Sequence, residues 1–203
     1  DIQESMANHL SQGGTHFVME VSSHGIDQHR VSCIEFDVKA LTNITQDHLD
    51  YHGSFDAYES CKLSWMEAGD MPSLFFNELS KTAAHLELKE KLSVTCPHLK
   101  GRFNQDNLCL SGHILLSLGF SQEEVLGALS SVSSPPGRFE FIDEGQSFTV
   151  IVDYAHTPDG LDNVLTAARE LCSSEVARVI CVFGCGGDRD TSKRPQMARI
   201  VAE

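Results

Sequence analysis

Met19-Glu-Val-Ser-Ser-His-Gly25, Thr42-Asn-Ile-Thr-Gln-Asp-His-Leu-Asp-Tyr-His-Gly53 and Tyr58-Glu-Ser-Cys-Lys62 bring an acidic residue, a histidine pair and a lysine into one α/β-type segment. The first two polar blocks follow or close strand-like runs, His16 to Val21 and Phe36 to Ile44. Ligand sites in open α/β sheets lie beyond the carboxyl ends of strands, so the pattern allows Glu20 and His48 to meet over one sheet edge. Ser54 reads as the N-cap of a helix from about Phe55 to Ala68. On that helix Phe55, Tyr58, Lys62, Trp65 and Met66 share one face, which sets Lys62 inside an aromatic stripe.

A lysine in that place has two physical readings. Its four-carbon stem can cover apolar surface while the ammonium reaches water. Alternatively, partial desolvation makes it give up its charge readily and become available for chemistry or modification.

Further blocks follow in order. They are Gly101-Arg-Phe-Asn104-Gln-Asp-Asn107, Pro136-Gly-Arg138-Phe-Glu140, Asp153-Tyr-Ala-His156-Thr-Pro-Asp159, and Gly184-Cys-Gly-Gly-Asp-Arg189-Asp190. Together with the three opening blocks this series resembles the Mur ligases, ATP-dependent amino-acid-adding enzymes of peptidoglycan synthesis. The likeness is strongest to the UDP-N-acetylmuramoyl-tripeptide synthetase branch and covers nearly the whole chain.

The resemblance implies a set of site residues. Glu20, His48 and Lys62 match the family's metal ligands, with the lysine carbamylated so that an oxygen-bearing anion meets magnesium. Magnesium prefers hard oxygen donors and commonly bridges carboxylates to nucleotide phosphates; the histidine is the atypical member. Ser22, Gln28 and Arg30 match positions that contact the muramoyl-peptide substrate, and Arg189 matches the arginine that contacts the incoming amino acid. Asn104, Asn107, Arg138, Asp153 and His156 match nucleotide-contacting positions. The implied catalytic residues are Lys62, His48 and Arg189. The implied small-molecule partners are ATP, a UDP-muramoyl dipeptide and a diamino acid, meso-diaminopimelate being favoured over lysine.

Without the resemblance, several of these residues have plainer roles. Arg138 reads as a linker salt bridge, Asp153 as a strand-end cap and His156 as a loop histidine. Gly184, Gly186 and Gly187 fail Gly-x-Gly-x-x-Gly because Arg189 stands in the third place. They read equally as a tight turn or as a backbone approach to an anion beside Arg189, Lys193 and Arg194. His48 and His52 are four apart, but the Glu of His-Glu-x-x-His is missing and Asp50-Tyr51 with Gly53 reads as a turn, which argues against zinc. Ser22 and Ser23 beside His24 lack a nucleophile elbow.

The sequence has 203 residues, 41% of them hydrophobic, enough for a real core. A formal net charge of −14 disfavours binding to a phosphate backbone, so no nucleic-acid partner is expected. Seven cysteines in no paired spacing, with neither a signal peptide nor a membrane-length apolar run, suit a reducing cytoplasm without membrane insertion. A monomer is expected.

The expected organisation is a central ATP-binding domain at residues 1–134 and the start of a Rossmann-like C-terminal domain at 135–203, divided at the Ser130 to Gly137 run. In the first, Ser73 to Asn77 reads as a strand and Asn104 to Leu118 as a helix stopped by Gly119. Ser121 with Glu124 reads as a capping box. In the second, Phe148 to Asp153, a helix capped by Thr157 with Pro158 at its first position, and Arg178 to Phe183 predict a parallel βαβ unit; Pro195 opens a last helix. No Gly-x-x-x-x-Gly-Lys-Ser/Thr loop occurs. The family's order puts that loop before Asp1 and its amino-acid specificity motif after Glu203, which implies an interior fragment of a three-domain enzyme, inactive by itself. A folylpolyglutamate synthetase-like ligase and a non-catalytic binding module are the competing readings.

Overall fold

The computed structural model describes residues 1–96, 99–172, 177–186 and 191–203. The chain divides into two compact units, Asp1–Glu35 and Phe36–Glu203.

The first unit holds helix α1 (Ile2–Ser11) and the short helix α2 (Ser23–Asp27). Asp1 caps α1 by accepting from the Gln3 and Glu4 amides, and Ser22 Oγ caps α2 by accepting from Gly25 N at 3.1 Å. The run expected to form a strand at His16 to Val21 is not one, and Ser22 and Ser23 are a cap and a first helical residue rather than strand neighbours. A strand is stabilised by its ladder, and this unit offers no second strand among its described residues; Val18 is 96% exposed.

In the second unit, β1 (Lys39–Leu41) is followed by α3 (Leu49–His52), α4 (Phe55–Glu67) and β2 (Ser73–Phe75). β1 and β2 pair in parallel, Lys39 opposite Ser73 and Leu41 opposite Phe75, so α4 lies in the crossover of a βαβ unit. Both strands are shorter than their apolar runs. The second stops because the chain enters α5 (Phe76–Leu79) at Phe76. Ser54 caps α4 as expected, its Oγ accepting from Ala57 N at 3.2 Å.

The other end of α4 is held by a residue that periodicity does not single out. Lys39 is buried on β1, and its ammonium donates to the Trp65 and Ala68 carbonyls at 2.6 and 2.8 Å while lying 4.6 Å from the centre of the Trp65 ring. Ser73 Oγ donates to the Met66 carbonyl at 2.6 Å. The last carbonyls of a helix have no intrahelical partner, so a cation there both satisfies them and opposes the negative end of the helix dipole. Burial lowers the Lys39 pKa from its ordinary value.

Helices α6 (Ala83–Thr95), α7 (Arg102–Ser117) and α8 (Gln122–Leu129) form the main apolar layer, with Leu88, Leu92, Cys96, Cys109 and Val125 nearly inaccessible. Gly112 allows the close approach: a Cβ there would stand 2.9 Å from Leu88 Cδ2. Gly119 ends the α7 segment at φ +90°, and Ser121 and Glu124 make the expected reciprocal capping box. Burial pushes the Cys109 thiol up to about 11, whereas Cys33 in the first unit is exposed.

Beyond the layer, β3 (Glu140–Ile142) and β4 (Val150–Val152) form an antiparallel pair, and α9 (Pro158–Glu170) packs on α10 (Lys193–Ala202). The parallel βαβ unit expected here is corrected. β4 pairs with β3 in antiparallel, and Arg178 to Phe183 belongs to no strand among the described residues, with Ile180 and Val182 exposed. Val179 and Cys181 still pack on Leu161, Leu165 and Met197, so the run is anchored by side chains on one face instead of by a ladder. Thr157 caps α9 with Pro158 in its first turn as read, while α10 opens at Lys193, two residues before Pro195. No described helix is long and apolar enough to cross a membrane.

Two predictions follow from this packing. Lys39→Met strands two helix-end carbonyls without a donor and should lower unfolding stability by about 1–3 kcal/mol in urea denaturation. The second concerns His85 and His113, whose rings stack between α6 and α7 at 5.4 Å, leaving His85 Nδ1 and His113 Nε2 buried and without a hydrogen-bond partner among the described residues. Burial, then the neighbouring Lys89 charge, lowers the His85 pKa against an opposing Asp106; burial and His85 lower that of His113. Both rings are thus harder to protonate folded than unfolded. Their contribution is intact above the unfolded value and is lost as pH falls below about 6.5. Thermal midpoints should drop across that range, and His85→Phe should flatten the drop.

Candidate functional site

α4 and the loop before α3 bring His48 and Lys62 to one aromatic side chain. Tyr58 is buried; the His48 ring lies 6.4 Å from its centre and the Lys62 ammonium 5.2 Å from it. Lys62 is half-buried, as the stripe reading required, and its nitrogen lies against the tyrosine ring. An ammonium has no lone pair, so Lys62 can serve a metal only after conversion to an oxygen-bearing group. His48 itself sits in the left-handed region at φ +53°, which non-glycine residues seldom adopt and which recurs at functional sites.

Asp47 holds that backbone. Its Oδ1 accepts from His48 N at 2.8 Å and from Lys193 Nζ at 2.5 Å, and its Oδ2 stands 3.6 Å from His48 Nε2. Burial pushes the Asp47 carboxyl up, but the Lys193 and His48 hydrogen bonds and the charge of both neighbours outweigh it and leave the group below its ordinary value. The sequence reading gave Asp47 no role and treated Lys193 only as diffuse positive charge. Its position between Gln46 and His48 in the most polar block was the available signal.

A second place lies where α7, α9 and the β3–β4 hairpin face one another. There a cleft of about 510 Å³ is lined by Asn104, Asn107, Arg138, Asp153 and His156, all five of the residues matched to nucleotide contacts. Asn104 and Asn107 come from the first turns of α7, whose entry needs Gly101 at φ +88°. Arg138 stacks its guanidinium 5.0 Å from the centre of the Tyr154 ring, and His156 meets the same ring edge-on at 5.2 Å while its Nδ1 lies 3.0 Å from the Tyr154 carbonyl. A flat cation beside an aromatic face suits a planar base or an anionic group. Tyr154, Asn43 and Asn163 also line the cleft and were not singled out from the sequence.

The Asp153 carboxylate is at the same time structural. Oδ2 accepts from Phe139 N and Oδ1 from Ala155 N, each at 2.7 Å. The first bond fastens Phe139, fully buried at φ +49° and edge-on to Phe103 and Phe141. The plain strand-end reading of Asp153 is therefore true of its geometry, and its place on the cleft is true as well.

The remaining sequence candidates are less tightly held. Glu20, Ser22, Gln28 and Arg30 belong to the first unit and are exposed there. Ser22 is spent on the α2 cap, and Arg30 Nη2 donates to Gln28 Oε1. Arg189 lies outside the described residues.

The Mur ligase middle domain family matches residues 1–96, and the Mur ligase glutamate ligase domain family matches residues 137–203. The chain is 38% identical to the UDP-N-acetylmuramoyl-L-alanyl-D-glutamate–2,6-diaminopimelate ligase of Geobacillus kaustophilus, the match taking in 98% of this chain and 49% of that protein. The proteins of the same name from Pseudomonas aeruginosa and Syntrophomonas wolfei are 37% and 36% identical over 98% and 100% of this chain. A solved structure of a ligase of that name superposes with a TM-score of 0.58 at 25% identity, covering 99% of this chain and 49% of that one. The chain spans about half the length of the curated relatives it matches.

The Asp153 anchor makes a prediction of its own. Asp153→Ala releases the Phe139 and Ala155 amides and the left-handed backbone at Phe139, and should cost about 1–3 kcal/mol in denaturant unfolding while opening the Phe139 and Ala155 amides to faster exchange.

Proposed function

The chain belongs to the Mur ligase family, and from that premise we propose that it forms part of an ATP-dependent ligase that adds 2,6-diaminopimelate to UDP-N-acetylmuramoyl-L-alanyl-D-glutamate. One observation carries the reading: residues drawn from three separate sequence blocks, Asn104 and Asn107, Arg138, and Asp153 with His156, line a single cleft with an aromatic and cationic wall. The names of the relatives favour 2,6-diaminopimelate over lysine as the added residue. The domain division we infer lies at residues 134 and 135, and the intact protein is read as a monomeric cytoplasmic enzyme.

The reaction has two steps. The terminal carboxylate of the muramoyl dipeptide attacks the γ-phosphorus of ATP, giving an acyl phosphate and ADP. The amine of the diamino acid then attacks the acyl carbon, and the tetrahedral adduct loses phosphate as the amine loses a proton. Phosphoryl transfer of this kind rests on positioning and on electrostatic stabilisation of the phosphates.

Roles for this chain's residues follow. The cleft holds the nucleotide, Arg138 and Tyr154 presenting the flat face and Asn104, Asn107 and His156 offering polar contacts. Ser22, Gln28 and Arg30 bind the muramoyl peptide, and Arg189 orients the amino acid. Lys62, backed by Tyr58, reacts in its uncharged form with carbon dioxide, forming an N–C bond and releasing a proton to leave a carbamate. His48 and that carbamate would hold magnesium, which when bound neutralises phosphate charge.

Phosphate release tests the proposal on the protein extended to the full length of its relatives, given ATP, magnesium, UDP-N-acetylmuramoyl-L-alanyl-D-glutamate and either meso-diaminopimelate or lysine. The expected outcome is turnover with meso-diaminopimelate, reduced about 10²-fold or more by Lys62→Ala. Folded full-length protein without turnover would overturn the assignment to this reaction and favour a synthetase of another substrate or a binding module. Full turnover in Lys62→Ala would overturn the metal assignment.

A further inference from the structure

We propose that Lys193 is a positioning residue for His48, acting through Asp47 as a latch between the two matched families' segments; this rests on the ligase reading and deepens it. Asp47 lies in the residues matched to the middle domain and Lys193 in those matched to the glutamate ligase domain, 146 positions later. Their ion pair is largely sheltered, the side chains being 20% and 13% exposed. Pairs of that kind resist screening better than surface pairs.

The geometry ties the latch to the histidine. The Asp47 oxygen that receives Lys193 also receives the His48 amide, and the other oxygen faces the His48 imidazole. Lys193 therefore fixes the rotation of a carboxylate whose two oxygens address the backbone and the ring of one residue. That residue holds a left-handed conformation that its own backbone does not favour. With Lys193 present, docking of α10 sets the direction in which the imidazole points. Without it, the carboxylate is free to turn toward solvent, and the His48 amide and ring lose the Asp47 contact that Lys193 orients. Because α10 lies in the residues matched to the glutamate ligase domain, His48 responds to whether that segment is seated.

The proposal is tested on this chain itself. Ring-nitrogen NMR of uniformly 15N-labelled protein reports the orientation and tautomer of each histidine, and amide exchange reports local opening. Lys193→Met is expected to move the His48 ring signals and to speed exchange of the amides at 46–52 about tenfold. Asp47→Asn should do the same, Lys193→Arg should restore both, and the His85 and His113 signals in the helical layer should stay unchanged. Unmoved His48 signals in Lys193→Met would overturn the proposal, as would equal shifts at His85 and His113, which would mark general loosening. Because these readouts need no turnover, a failed latch and a failed ligase reading are separable: absence of phosphate release from the wild-type full-length enzyme bears on the second alone.

Discussion

The capping of the C-terminus of α4 is the constraint on which the first half of the larger unit depends. Three carbonyls, of Trp65, Met66 and Ala68, end a helix where no further turn can satisfy them, and the strands on either side supply the donors through Lys39 and Ser73. Lys39 and Ser73 are also direct partners in the parallel ladder, so a single register serves pairing and capping at once. A slip of one strand by one residue would turn its capping side chain to the opposite face and lose the bonds that side chain makes. The axial position of α4, and with it that of Lys62 and Tyr58, is therefore set from the strands.

The second half is organised by a carboxylate in a similar way. Asp153 follows β4 and fastens the backbone of Phe139, just before β3, so the antiparallel pair is closed by a side chain at the end where it faces the cleft. Arg138, immediately before Phe139, is carried to Tyr154, immediately after Asp153. One anchor thus brings together two of the separate blocks, and α7 and α9 close the cleft on either side.

Much of the helical architecture was legible because helix signals are local. Ser54, Thr157 and the Ser121 to Glu124 pair each cap as read, since a hydroxyl and an amide three residues away need no tertiary partner. Strands were legible only where a partner exists. Ser73 to Phe75 has β1, but His16 to Val21 and Arg178 to Phe183 carry the same apolar character and form no ladder here. The site was legible as blocks of residue types: both the Lys62 stripe and the five cleft residues could be named from sequence. Asp47 with Lys193 and Lys39 with its carbonyls could not, because their meaning lies in contacts 26 to 146 positions apart that no periodicity announces.

The cysteines of the helical layer have a practical side. Cys96 and Cys109 are inaccessible, and the Cys109 thiol, at about 11, is almost wholly protonated in neutral solution, whereas thiolate is the form that reacts. Cys33, exposed on the other unit, has no such shelter. The molecule thus contains its own pair of chemical clocks: alkylation at Cys33 marks time in solution, and alkylation at Cys109 marks each occasion on which α6, α7 and α8 part.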